Sequence, residues 1–397
     1  MSLKVYGTGE NDSLVVKVEG RVDSTNASIL EKEIFNLCEQ NPRDNVILDA
    51  ENLEYISSAG LRVILKLKRT KGDCEIVNVN NDVYEIFEMT GFTDIMKISR
   101  RLRQFSIEEC KMIGQGGVGK IYRYDPETII KVYRPEIQMD YILRERACSQ
   151  TAFKCGLPTA IAFDVVRVGD CYGVMYELME ADNLADIILN HPEEEERYIK
   201  KYAELAKMMH STQEKSNTIQ PASQIFRSTM GAMDKWMTEE EIRRYDSYID
   251  LIPERLTLIH GDFHVKNVLV CDGELEMIDM GDISQGHPLV ELGCVYCSHA
   301  VFAERVIGMS REKAMEVWDK FCGYYFGEIK EDVKPAFQRI LTWVAALRRL
   351  PFLCMSPVST KELIDSVKAE VFVDAEQIQE DFAMLDCRLF AGEESNQ

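Results

Sequence analysis

The stretch "MIGQGGVGKIYRYDPETIIKVY", residues 112–133, constrains the fold more than any other part of this chain. Three glycines, Gly114, Gly116 and Gly119, let backbone amides approach a phosphate chain with no Cβ in the way. The element after the glycines decides which fold can use them. A dinucleotide-binding fold needs a helix straight after the glycines, and here "KIYRYD" and "TIIKVY" read as two strands. A P-loop needs Gly-x4-Gly-Lys-Ser/Thr and then a helix. Ile121 stands where the magnesium-binding hydroxyl should be, and again the next element is a strand. A glycine-rich β-hairpin remains.

Lys131 lies on the strand after that hairpin, where a compact ammonium reaches the α- and β-phosphates if a carboxylate holds it. "DYILRERACSQ" (140–150) reads as the helix that supplies the carboxylate, through Glu145. Further on, "LTLIHGDFHVKNVLVCDGELEMIDMGD" (256–282) places Asp262 and Asn267 between two short apolar strands, with Asp279 after the second. An aspartate can orient an attacking hydroxyl and accept its proton, while an asparagine carbonyl and a second aspartate can hold Mg²⁺ against phosphates. Singly, such residues are ordinary turn formers. Glycine hairpin, lysine strand, glutamate helix and two loops, in this order, are the layout of a protein-kinase-like fold.

With 397 residues the chain is long enough for two or three domains. A hydrophobic content of 46% and a charged content of 28% are those of a soluble globular protein. The net charge of −21 argues against nucleic acid or an anionic membrane surface as partner; it permits a cationic substrate and also serves solubility. The N-terminus lacks the pattern of a signal peptide, and no window approaches the roughly 18 apolar residues that span a bilayer, so a cytoplasmic setting is expected. The 12 cysteines then read as reduced thiols. Cys294-x-x-Cys297-x-His299 has metal-like spacing, but it lacks a second close pair and lies on an apolar helical segment.

Residues 1–99 read as a compact α/β unit. "SLVVKVEG" (13–20), "NVILDA" (45–50) and "CEIVNV" (74–79) are strands. "NASILEKEIFNLCEQ" (26–40) is a helix with Ile29, Leu30, Ile34, Leu37 and Cys38 on one face. "SAGLRVILKLKR" and "DVYEIFEMTGF" are two more helices, the last ended by Gly91. A polar, basic linker spans 100–105. Residues 106–180 form a strand-rich lobe carrying the glycine hairpin, and 181–397 a mostly helical lobe interrupted by two short strands near 256–279.

"HGDFHVKN" and the later "IDMGD" resemble the catalytic and metal loops of the aminoglycoside phosphotransferase and choline kinase-like group, over roughly residues 106–300. The resemblance implies a two-lobed α+β fold that binds ATP (or another nucleoside triphosphate) and Mg²⁺ between its lobes. It implies Asp262 as catalytic base, Asn267 and Asp279 as Mg²⁺ ligands, and Lys131–Glu145 as the phosphate-binding ion pair. Gly114, Gly116 and Gly119 would cover the phosphates, and "MYELME" (175–180), with Glu177 and Met179, would be the hinge beside the adenine. Gly261 stands where protein kinases carry arginine, which implies activity without activation-loop phosphorylation. Glu291 in "HPLVELG" stands where such enzymes more often have aspartate. His260 and His264 read as structural members of the loop that bond backbone carbonyls. The acceptor would be a hydroxylated small molecule, bound among helices between Pro288 and Phe390.

"GRVDSTNASILEKEI", "VILDAENLEYISSAGLRVIL" and the "TGF" of 90–92 resemble the STAS domain of anti-sigma factor antagonists, an α/β sheet-and-helix sandwich, across nearly all of residues 1–99. Ser58 falls on the serine these proteins present for phosphorylation, and Ser57 replaces the aspartate usual before it. A serine at a helix start is equally suited to hold a phosphate or to cap the helix. The expectation is an ATP-dependent phosphotransferase with a STAS regulatory module and an anti-sigma-type or other protein partner. A protein serine kinase or partner-switching regulator with Ser58 as acceptor, or a nucleotide-sensing scaffold, are the alternatives.

Overall fold

The computed structural model describes residues 2–43, 45–72, 74–215 and 218–390, apart from residues 11 and 12. The chain divides into two compact units, Met1–Phe105 and Ser106–Gln397.

In the first unit, Ser13–Val22 alternates buried and half-exposed residues, as a strand with one face on a core must. It pairs antiparallel with Lys4–Glu10 and parallel with Asn45–Asp49 on its other side, and Cys74–Val79 and Ile98–Arg100 extend the sheet, also parallel. Leu53–Ile56 joins the far end of Ser13–Val22. Helices Ala27–Gln40, Ser58–Lys71 and Asn81–Met89 complete the fold, and Leu14, Val16, Leu30, Ile34, Leu48, Leu67 and Phe87 fill the core. One helix face differs from the sequence expectation. The stripe on Ala27–Gln40 is Leu30, Ile34 and Cys38, while Ile29 is 54% exposed. One residue along a helix turns about 100°, which takes Ile29 off that face.

The second unit opens with an antiparallel sheet. Thr128–Tyr133 lies between Gly119–Arg123 and Cys171–Glu177; Lys111–Gln115 flanks the former and Ala162–Val168 the latter. Helix Met139–Lys154 packs against it and buries Ile142, Glu145, Cys148 and Ala152. From Leu184 onward the unit is mainly helical around a large core, with Lys334–Met355 its longest helix at 22 residues. Three short strands, Leu258–Ile259, Val268–Cys271 and Glu274–Met277, occupy the 256–279 region where the sequence pattern gives two. The extra one arises because Asp272 (φ 49°) and Gly273 (φ 83°) close a tight hairpin within the second apolar run. Among the described residues no helix is long and apolar enough to cross a membrane.

Candidate active site

The glycine hairpin and the lysine strand depend on each other. A Cβ on Gly119 would lie 2.3 Å from the Val132 carbonyl oxygen, so only glycine lets the two strands pair this closely. At the tip, the Gly116 N–H donates to the Gly119 carbonyl at 2.9 Å, and both Gly116 and Gly117 stand clear of neighbours. Gly114 makes ordinary contact with Ile121. Gly119 therefore packs the hairpin, while Gly116 and Gly117 leave its tip open.

Lys131 sits between the buried Ile130 and Val132 on Thr128–Tyr133, and its side chain leaves the opposite face. Its Nζ lies 2.6 Å from Glu145 Oε1 and 2.7 Å from Asp279 Oδ1. Glu145, almost wholly buried, also accepts the Tyr176 hydroxyl at 3.3 Å. Burial works against the lysine charge, but Glu145 and Asp279 outweigh it and hold the ammonium above its usual pKa. Asp279 is in the left-handed region (φ 62°, ψ 55°), which aspartate tolerates better than most residues, and its side chain is 50% exposed.

The catalytic-type loop begins after Leu258–Ile259. Gly261 has φ +81°, and a Cβ there would meet the Asp282 carbonyl oxygen at 2.6 Å. An arginine at this position would collide with the metal-type loop, which is the local reason for the glycine. His260 ties the same two loops together: Nε2 faces the Ile278 carbonyl at 2.9 Å, and Nδ1 accepts the Asp262 N–H at 3.3 Å. Glu291, buried on Pro288–Ala300, accepts the backbone N–H groups of His260 and, at 3.2 Å, Gly261. The longer carboxylate thus anchors the loop by itself.

Asp262 projects from this clamped backbone with 43% of its side chain exposed. Asn267 Nδ2 donates to its carbonyl at 3.0 Å and to its Oδ2 at 3.1 Å, which leaves Asn267 Oδ1 for another partner. His264 departs from the sequence expectation: its Nε2 is 3.5 Å from Asp262 Oδ2 rather than on a backbone carbonyl. The turn made by the His264 N–H on the Asp262 carbonyl brings the ring round to the carboxylate. Burial pushes the Asp262 carboxyl up, but His264 and the Arg348 guanidinium outweigh it and hold it below the usual carboxylate range. Arg348, on Lys334–Met355, pairs with Asp282 at 2.5 Å. Sequence reading misses Arg348; its only signal is a pair of arginines, "ALRRL", within an otherwise apolar helix.

The other candidate residues lie outside this cluster. Glu177 ends the strand Cys171–Glu177, half-buried, with its Oε2 accepting the Ile161 N–H at 3.4 Å. Met179 is also half-buried, two residues on, after Leu178 donates its N–H to the Glu127 carbonyl. Cys294 and Cys297 are buried in Pro288–Ala300, where burial pushes the Cys297 thiol up to about 11, and His299 bonds the Val295 carbonyl of its own helix. In the first unit, Ser57 is the cap: its hydroxyl accepts the Gly60 N–H at 3.4 Å. Ser58 is the first residue of the helix and is exposed.

Residues 3–105 match the STAS domain family, and residues 119–313 match the phosphotransferase enzyme family. The putative anti-sigma factor antagonist BtrV of Bordetella bronchiseptica is 37% identical over 90 residues, covering 22% of this chain and 77% of that protein. The anti-sigma-B factor antagonist of Bacillus subtilis is 28% identical over 96 residues, 23% of this chain and 85% of that one. Among solved structures, ADP-bound aminoglycoside phosphotransferase APH(2'')-Ib is 16% identical with a TM-score of 0.46, over 68% of this chain and 94% of its own. Amicoumacin kinase hAmiN, with AMP-PNP, Ca²⁺ and Ami, is 14% identical with a TM-score of 0.47, over 73% and 96%. Fold and site define a two-domain protein, a STAS sheet and then a kinase-like phosphotransferase domain. The chain belongs to the STAS family through residues 3–105, and residues 119–313 carry its phosphotransferase enzyme family domain.

Proposed function

We propose that the second domain transfers the γ-phosphoryl group of ATP to an alcohol group of a small molecule, in the cytoplasm, with the STAS domain as a docking or regulatory module for a protein partner. The observation that carries this reading is Lys131, whose Nζ bridges Glu145 and Asp279 at 2.6 and 2.7 Å and so brings a fixed cation to the metal-type loop. In this reading Lys131 meets the phosphates, the open hairpin tip at Gly116 and Gly117 covers them, and Glu177 to Met179 border the adenine. Asp262, kept ionised by His264 and Arg348, orients the acceptor hydroxyl and takes its proton. Asn267 fixes the Asp262 carboxylate through Nδ2.

The free Oδ1 of Asn267 and the half-exposed carboxylate of Asp279 are hard oxygen donors, a fit for Mg²⁺. When bound, the ion would neutralise charge on the phosphate oxygens. Strong negative charge on the chain is compatible with a cationic acceptor.

A second reading has one observation in its favour. Ser58 is exposed at a helix N-terminus whose cap is already supplied by Ser57, so its hydroxyl is open to phosphorylation. Incubation with ATP and then intact-mass measurement separates the two. ADP release that rises with a hydroxylated small molecule, at unchanged protein mass, supports the first reading. A single phosphate located at Ser58, without small-molecule turnover, sinks it in favour of the second.

A further inference from the structure

A cavity of about 610 Å³ opens beside helices Glu195–Ser211, Arg311–Phe326 and Ala375–Leu389 of the second unit. No residue of the glycine hairpin, the catalytic-type loop or the metal-type loop lines it. Its floor is aromatic. Tyr325 and Phe390 are 6% and 2% exposed, and Phe326 meets them edge-on at 4.6 and 5.8 Å between ring centres. The floor is also preset, because Nδ1 of the fully buried His210 lies 2.7 Å from the Tyr325 hydroxyl.

The rim has the opposite character. Lys207, Lys330 and Arg388 converge there, exposed, and none makes an ion pair with a described residue. Lys207 Nζ instead stands over the Tyr325 ring at 5.9 Å. Glu204 and Glu328 share the rim, which keeps an excess of one positive charge in a chain whose net charge is −21. Where carboxylates outnumber cations this heavily, unpaired cations gathered at one concave apolar floor are the features of an anion site. The volume is that of a small-molecule pocket.

We propose that this cavity binds a small organic anion with an aromatic or apolar body, the body lying on Tyr325, Phe326 and Phe390 and the acidic group meeting Lys207, Lys330 and Arg388. None of these side chains belongs to the cluster of Lys131, Asp262, Asn267 and Asp279. The test is calorimetric titration of the full chain with 1-naphthoate and with uncharged 1-naphthol, both in saturating AMP-PNP. The expected result is saturable naphthoate binding at least tenfold tighter than naphthol. The K207A/K330A/R388A variant should bind naphthoate at least tenfold more weakly, with unchanged AMP-PNP affinity and melting temperature. Absence of saturable naphthoate binding, equal binding of naphthol, or naphthoate binding unchanged in the variant would overturn the proposal.

Discussion

Lys131 is where sequence and structure meet most closely. Its neighbours in the chain suggest a strand, and its neighbours in space are two carboxylates, one of them from a loop 148 residues away. Replacing it with methionine keeps the stem and removes the charge. We expect kcat/KM for ATP to fall about 10²–10³-fold, and the melting temperature to fall too, because Glu145 is left buried without its cation; a fall in kcat/KM below tenfold would remove Lys131 from phosphate binding. Residues carried by short local patterns, such as Lys131, Asp262, Asn267 and Asp279, can be grouped from the sequence alone. Arg348, Glu291 and His264 cannot be assigned in that way. Arg348 meets Asp282 across 66 residues and Glu291 meets His260 across 31, and only folding creates those contacts. His264 is adjacent in sequence, but which way its ring turns is set by the loop backbone rather than by residue type.

At the scale of elements, the glycine hairpin shows how a motif splits into physical jobs. The three spaced glycines look alike in the sequence, yet only Gly119 is pressed against backbone. A Gly119→Ala substitution must displace the Val132 carbonyl or break the strand pairing. Overpacking of this kind costs about 1–3 kcal/mol. The measurement is chemical denaturation of the second unit, where Gly116→Ala serves as the control that should change stability little, because nothing lies within 4 Å of a Cβ there. Equal stability of the two variants would contradict the packing account. The strands and helices of the first unit are legible because their apolar periods are clean. The miss at Ile29 has a simple cause: a stripe one residue too wide still fits the sequence pattern, and only the sheet decides its edge.

On the scale of the whole molecule, each unit has its own core, one built from residues between Leu14 and Met96 and the other from residues between Cys148 and Phe390. All six histidines fall in the second unit. Burial holds His210 down to about 3, and holds His287 and His299 down to about 4. An unfolded histidine takes up its proton near pH 6.5. Their neutral forms therefore stabilise the fold above about pH 6.5, and that contribution drains away as pH falls toward 4. The loss amounts to about 1–2 kcal/mol for each histidine by pH 5. Calorimetry at pH 7.5 and pH 5 should show the second unit's transition falling further than the first's; equal shifts would contradict the assignment.

The central claim is phosphate transfer to a small-molecule alcohol with Asp262 as base. Its most direct test compares the protein with its Asp262→Asn variant in ATP and Mg²⁺, across a panel of hydroxylated small molecules, with mass spectrometry of the small-molecule fraction. The expected result is a phosphorylated panel member whose formation drops about 10²–10⁴-fold in the variant, while nucleotide still binds. Undiminished product formation by the variant, or phosphate found on the protein and on no small molecule, would contradict it.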